Sequence, residues 1–179
     1  MADDQQLSRR LSFVLRHNPE SAGLALDTHG WVDVDELIAA FGATVTYTDI
    51  ARVVADSDKQ RFELDEPHRR IRARQGHTVP VDLDLQPTAP PPSLFHGTAA
   101  RFVPAILNEG IRRGERHHVH LSPDVATATA VGARRGPATV LTVDTAAMAR
   151  DGHIFYVTSN GVWLTHAVPS RYVRQAATA

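Results

Sequence analysis

Leu7, Leu11, Val14 and Leu15 recur three and four residues apart, the spacing that lines up one face of an α-helix. Asn18-Pro19 ends the pattern, because a residue before proline disfavours helical geometry. Arg9, Ser12 and Arg16 fall together on the opposite face, with His17 on its flank. Thr28-His29-Gly30 is turn chemistry, Trp31-Val32-Asp33-Val34 reads as a short strand, and Asp35 is placed to cap a helix carrying Leu37, Ile38 and Phe41. A third helix, capped by Thr46 or Thr48, carries Ile50, Val53 and Val54 up to Asp56-Ser57-Asp58. Alternation over Arg61-Phe62-Glu63-Leu64 and again over Arg70-Ile71-Arg72-Ala73-Arg74, about the turn Asp65-Glu66-Pro67-His68, predicts a hairpin. Helices followed by a hairpin is the winged-helix order.

The pattern then lapses. Residues 79–93, VPVDLDLQPTAPPPS, hold five prolines and read as an extended linker. Beyond it short strands and helices mix. Leu94-Phe95-His96-Gly97 predicts a strand, and Thr98 is a cap for a helix through Phe102, Val103, Ile106 and Leu107 that stops at Gly110. His118-Val119-His120-Leu121 predicts another strand. Ser122-Pro123-Asp124 predicts a helix start, with Ser122 as cap, and that helix ends near Gly132 or Gly136. Strands follow at Thr139–Val143, His153–Val157 and Val162–Thr165, the last after a Ser159-Asn160-Gly161 turn. The expected fold class is α+β, with lobes at residues 1–78 and 94–179 joined by the linker at 79–93.

Composition narrows the function classes. The 179 residues are 42% hydrophobic and 22% charged, which excludes a disordered chain. With 19 basic and 20 acidic residues the net charge is −1, so phosphate binding has to come from local clusters. Absence of cysteine excludes disulfides, thiol nucleophiles and thiolate zinc sites. No apolar run reaches a membrane span, and the start Met1-Ala2-Asp3-Asp4 is acidic and polar, unlike a leader; a cytoplasmic protein with no membrane association and no obligate protein partner is expected. Only Lys59 is lysine; the other 18 basic residues are arginine. Genome composition accounts for that bias but not for its placement, and arginine is the side chain whose planar fork matches a phosphate.

The densest cluster runs from Lys59 to Arg74, with six basic residues against Glu63, Asp65 and Glu66. Arg70, Arg72 and Arg74 point to one strand face, either a solvated face or a track for nucleic-acid phosphates. Arg16-His17 and Gly132-Ala133-Arg134-Arg135-Gly136 are further candidates for anion contact. His96 and the His118-Val119-His120 pair do not make a metal site: carboxylates are not spaced to join them and cysteine is absent. No metal is expected.

Eight blocks, LSRRLSFVLRHNP, DTHGWVDVDEL, KQRFEL, IRARQGHTVPV, LFHGT, HHVHLS, VGARRGPATVLTVD and NGVWLT, appear in an order that resembles the NAD-dependent RNA 2′-phosphotransferase family from about Leu7 to Val173. The resemblance implies a winged-helix-like RNA lobe and an ADP-ribosyltransferase-like NAD lobe. It implies a substrate RNA with an internal 2′-phosphate, tRNA-like, as left by ligase-type tRNA splicing or RNA repair, and NAD consumed as co-substrate. The implied reaction passes through RNA-2′-phospho-ADP-ribose and yields 2′-hydroxyl RNA, nicotinamide and ADP-ribose 1″,2″-cyclic phosphate.

By the same resemblance the catalytic tetrad is Arg16, His17, Arg61 and Arg134, with His17 in a supporting role. Arginines fixed on the nonbridging oxygens of a phosphate stabilise the charge that builds there. The ADP-ribose site is implied to be lined by His96, Gly97 and Thr98, by Gly110 and Ile111, and by His120, Leu121 and Ser122, while Arg70, Arg72 and Arg74 carry RNA. No GxGxxG fingerprint is present, so hydride transfer on a Rossmann fold is not expected. Val162 stands where many protein-modifying ADP-ribosyltransferases have glutamate, consistent with an acceptor that is already anionic. The chain departs from the family at Arg9, Phe95 and Arg135, where lysine, tyrosine and histidine are common. Two other functions fit the same residues: an ADP-ribosyltransferase acting on terminal nucleic-acid phosphates, and a non-catalytic NAD- or RNA-binding module.

Overall fold

A computed structural model describes residues 3–42, 44–57 and 59–175. The chain falls into two compact units, Met1–Asp84 and Leu85–Ala179.

In the first unit the predicted apolar face becomes α1 (Asp4–Arg16), with Leu7, Leu11, Val14 and Leu15 buried and Asp3 accepting from the Gln5 N–H at 3.0 Å. A 3₁₀ turn at Pro19–Ala22 leads towards β1 (Val32–Asp33), α2 (Val34–Phe41), α3 (Tyr47–Ala55), β2 (Phe62–Asp65) and β3 (Arg70–Ala73). The strands form one antiparallel sheet in the order β1-β3-β2. Leu11, Leu15, Leu37, Ile50, Phe62 and Ile71 fill the core between helices and sheet. The cap of α2 is Asp33, not Asp35: Asp33 accepts from the N–H groups of Asp35 at 2.7 Å and Glu36 at 3.0 Å. Asp35 instead pairs with Arg69 at 2.6 Å. Thr46 caps α3 in a reciprocal capping box with Asp49. Asp56 ends that helix, and Asp58 of the same acidic run lies outside the described residues.

The second unit runs β4 (Ser93–Ala99), α4 (Val103–Glu109), β5 (Ile111–Arg112), β6 (Val119–Leu121), α5 (Val125–Gly132), β7 (Ala138–Asp144), α6 (Thr145–Arg150), β8 (Phe155–Val157), β9 (Trp163–Thr165), β10 (Ala167–Val168) and β11 (Val173–Gln175), with 3₁₀ turns at Ala100–Phe102, Ala133–Arg135 and Ser170–Tyr172. The fold is therefore mixed helix and strand, with small antiparallel sheets in the orders β11-β7-β4, β6-β9-β8 and β10-β5. Phe95 and Ser122 exchange backbone hydrogen bonds at 2.9 and 2.7 Å and stitch β4 to the segment after β6.

That exchange corrects the expected start of α5. Both backbone groups of Ser122 are used by Phe95, so the cap falls to Asp124, which accepts from the Thr127 N–H at 2.7 Å. Thr98 likewise caps nothing, because β4 runs through it to Ala99, and α4 begins at Val103 behind a 3₁₀ turn. Gly110 does end α4.

Most of the proline-rich stretch has no regular structure, yet each end is held. Asp82 donates its N–H to the Thr28 carbonyl at 2.8 Å and accepts at 2.8 Å from His29 Nδ1. On the other side, Thr88 donates to the Phe155 carbonyl at 2.8 Å, Ala146 to the Pro92 carbonyl at 3.1 Å, and the Thr145 hydroxyl to the Pro91 carbonyl.

Candidate active site

The first unit gathers its candidate residues around one backbone carbonyl. Strands β2 and β3 pair with Phe62 opposite Ala73, Glu63 opposite Arg72 and Asp65 opposite Arg70, and the next pair outward is Arg61 with Arg74. The Arg61 carbonyl accepts from the Arg74 N–H at 3.0 Å and from Arg16 Nη2 at 3.4 Å. Arg74 Nε also donates to the Phe62 carbonyl at 3.0 Å, across the ladder. The end of α1 and the open end of the hairpin therefore meet at the Arg61 carbonyl.

His17 joins them through Thr78. The Arg16 carbonyl, an orphan acceptor at a helix end, receives the Thr78 N–H at 2.9 Å and its hydroxyl at 3.3 Å. The hydroxyl has one proton, which it gives to that carbonyl, so it accepts from His17 Nδ1 at 3.1 Å. Thr78 was not among the residues singled out from sequence; its signal was its place in the QGHT stretch directly after the basic strand.

The basic stripe divides. Arg72 Nε and Nη2 both meet Glu63 Oε2 at 2.9 Å, and Arg70 Nη2 meets Asp65 Oδ2 at 2.8 Å. Both guanidinium groups also lie over the Trp31 ring, 4.5 and 5.1 Å from its centroid. Opposite charges face each other across two successive rungs, so this part of the strand face is close to neutral. Only at the third rung does arginine face arginine.

In the second unit β4 presents the His96-Gly97-Thr98 element between β7 and β6. His96 Nδ1 lies 3.2 Å from the His120 carbonyl; a carbonyl only accepts, so Nδ1 carries the proton. Burial pushes the imidazole pKa below its ordinary range, outweighing that hydrogen bond. His96 is thus a neutral ring with Nε2 as acceptor. Ser122 and Thr98 are both 9% exposed, and Leu121 is buried in the core.

Gly97 serves the packing. A Cβ there would lie 1.7 Å from the Ala128 carbonyl oxygen and 2.9 Å from the Gly132 nitrogen, so α5 rests backbone to backbone on β4. Gly132 is held reciprocally, with Thr98 backbone atoms 2.8 and 2.9 Å from its missing Cβ. Arg134 follows two residues later in the 3₁₀ turn and is exposed; the side chain of Arg135 lies outside the described residues.

Gly110 and Ile111 sit apart from this element. Gly110 has φ +85°, and a Cβ would come 2.3 Å from the Val168 carbonyl. Ile111 pairs with Val168 and is buried in the core.

His118, unassigned from sequence, packs edge-on to Tyr156 at 5.5 Å. Burial lowers its pKa first, and the charges of His117, His166 and Arg113 lower it further. Among the described residues no group of three His, Cys, Asp or Glu is placed to hold a metal ion, and no helix is long and apolar enough to cross a membrane.

Comparison with known proteins gives these sites a context. A model of the RNA 2′-phosphotransferase, Tpt1/KptA family matches residues 2–167. A protein of Agrobacterium fabrum named "Probable RNA 2′-phosphotransferase" is 57% identical over 173 residues, covering 95% of this chain and 93% of its own. Proteins of the same name from Streptomyces coelicolor and Burkholderia lata are 54% and 50% identical, covering 94% and 97% of this chain and 93% and 91% of theirs. Similarity of that depth, spanning both units and every block that carries a candidate side chain, makes the chain a member of the RNA 2′-phosphotransferase family.

Proposed function

We propose that this protein removes an internal 2′-monophosphate from RNA by transferring it to NAD, acting in the cytoplasm on tRNA-like substrates left by splicing or repair. The carrying observation is the meeting of Arg16, Arg61 and Arg74 about one carbonyl, with His17 tied alongside. A 2′-phosphomonoester has a second pKa near 6 and is close to dianionic at neutral pH. Guanidinium groups match that charge, and they go on stabilising it as the nonbridging oxygens gain charge during transfer.

In this reading the helices and three-stranded sheet of the first unit are a winged-helix-like RNA lobe, and the second unit is an ADP-ribosyltransferase-like lobe for NAD. The donor set of the second unit fits such a ligand. Neutral His96 offers Nε2 as an acceptor to a ribose hydroxyl without placing a charge beside the pyridinium ring. Thr98, His120 and Ser122 supply polar groups on the same two segments, whereas Gly97, Gly110, Ile111 and Leu121 shape the frame. NAD supplies an electrophilic ribose carbon with nicotinamide as leaving group. The protein's residues orient the RNA phosphate, which is already anionic and needs no base to attack. His17 holds or returns a proton on the ribose side of the second transfer, and Arg134, carried by the turn after α5, is by resemblance to the family the remaining catalytic arginine. RNA runs along the face of Arg70, Arg72 and Arg74.

Incubation with an RNA bearing one internal 2′-phosphate, with and without NAD, followed by mass spectrometry, tests the function. The expected products are 2′-hydroxyl RNA and ADP-ribose 1″,2″-cyclic phosphate. Persistence of an ADP-ribosylated RNA in the wild type, or loss of phosphate without NAD, would overturn it.

A further inference from the structure

We infer that Phe13 is a stacking platform for one nucleobase of the substrate RNA, that of the phosphorylated nucleotide or of one directly beside it. The inference rests on the function just proposed. Helix α1 turns Leu7, Leu11, Val14 and Leu15 into the core, and the same spacing carries Arg9, Phe13, Arg16 and His17 along its other side. Phe13 is 50% exposed there. A single exposed apolar side chain is ordinary; its company sets this one apart. Residues 5–19 contain no acidic side chain, so a phosphate backbone meets no opposing charge along this stretch. Exposed Arg9 stands one turn before the ring. Arg16 and His17 follow three and four residues after it, separations that make helix side chains neighbours, with about 5–6 Å between Cβ atoms.

Elsewhere the rings beside arginines are already covered. Arg10 lies 3.9 Å from the Phe41 centroid and donates to the Phe41 carbonyl at 3.1 Å. Arg69 lies over Tyr47, Arg70 and Arg72 over Trp31, and Arg101 over Phe102. Among the described residues no cation and no second ring covers Phe13. An uncovered aromatic face beside cations is the pairing that holds single-stranded nucleic acid: the cations follow the backbone, and the ring takes an unstacked base of any identity. With the 2′-phosphate at Arg16 and His17, the ring is one helical turn away, about 5.4 Å, which puts a base of that nucleotide or its neighbour over it. A base paired in a duplex is not available to the ring, so the platform favours a 2′-phosphate in unpaired RNA. The fold does not depend on the side chain. It is the Phe13 carbonyl that closes α1, accepting from the N–H groups of His17 at 2.9 Å and Asn18 at 3.1 Å.

The test measures binding of the full-length protein, without NAD, to a single-stranded oligonucleotide carrying one internal 2′-phosphate. Phe13→Ala should weaken binding roughly tenfold or more, and Phe13→Trp should stay within about twofold of wild type, as expected for base stacking. Phe13→Leu keeps an apolar side chain should the alanine variant unfold, and it too should bind weakly. The slope of log affinity against log salt should not change, since no phosphate contact is lost. Abasic substitution, placed in turn at the phosphorylated nucleotide and at each neighbour, locates the partner: at one of the three positions wild type and Phe13→Ala should bind alike. Additive losses at all three positions, or Phe13→Leu binding as tightly as wild type, would overturn the inference. So would an affinity untouched by Phe13→Ala; a change in sedimentation of the free protein would then assign the ring to contact between copies of this chain. A wild type that neither prefers the 2′-phosphorylated RNA over its 2′-hydroxyl counterpart nor removes the phosphate with NAD would refute the function as a whole. A wild type that does both while Phe13→Ala binds normally would refute only Phe13.

Discussion

Replacing Gly97 by alanine separates a ligand contact from a packing contact at the centre of the second unit. The added methyl would sit 1.7 Å from the Ala128 carbonyl oxygen, and ordinary contact needs about twice that distance, so α5 and β4 must part by well over 1 Å. Neither neighbour is the end of a flexible side chain. Overpacking of this kind typically costs about 1–3 kcal/mol, and a backbone-to-backbone clash belongs at the top of that range or beyond. For a unit of this size about 3 kcal/mol corresponds to a fall in Tm of roughly 10–20 °C. Gly152→Ala is the matched comparison: nothing lies within 4 Å of its Cβ, but φ is +87°, so it carries only the left-handed penalty of about 1–2 kcal/mol. Thermal unfolding by circular dichroism, with hydrogen exchange to localise the loss to α5 and β4, measures both. A Gly97→Ala protein as stable as Gly152→Ala, but with weakened NAD binding, would refute the packing argument and return Gly97 to the ligand.

Alanine at Arg16, His17, Arg61 or Arg134 should slow the second transfer more than the first, by roughly a hundredfold to a thousandfold for an arginine, so ADP-ribosylated RNA should accumulate in a mass-spectrometric time course; unchanged turnover in all four would contradict the site. Thr78→Val removes the acceptor for His17 Nδ1 and should lower kcat about tenfold or more while shifting its acid limb, with Tm nearly unchanged; a profile identical to wild type would show that Thr78 does not orient the ring. Asp49, held down to about 2 by the Thr46 hydroxyl and then by Arg52, gives a pH signature. Its folded value lies below the ordinary 3.8, so its stabilisation is complete above about pH 4 and is lost as pH falls through about 2. Asp49→Asn should be less stable than wild type at pH 7 and should converge on it in acid; parallel stability curves down to pH 2 would contradict this.

Helical periodicity made α1 and its closing Arg16-His17 legible, because four buried positions on one face leave little choice of register. Caps were harder. Asp33 and Asp35, or Ser122 and Asp124, are chemically interchangeable as caps, and which one serves depends on whether its neighbours are already committed to a strand or an ion pair. The short elements β5, β10 and β11 hold two or three residues each, too few for any period to register, and α6 hid behind Asp144, a cap at the end of a strand. Alternation placed Arg70, Arg72 and Arg74 on one face correctly, but only the pairing of β2 with β3 shows that two of them meet carboxylates and the third meets Arg61. Gly97 stood out in the sequence as part of HGT, while its reason, the carbonyl of Ala128, lies about thirty residues away in the chain.

The sheet that carries His96 also sets an order of events at synthesis. Strand β4 pairs along its whole length with β7, which is made about forty residues later, and β11, which completes that sheet, comes later still. At elongation rates of roughly 5–20 residues per second, β4 waits some seconds with an open edge, the condition under which strands associate with the wrong neighbour. Pro90, Pro91 and Pro92 stand immediately before it and cannot donate to any ladder, so a mispaired β4 cannot extend backwards. The proline run thus shields the nascent strand until the chain that completes the second unit has been made.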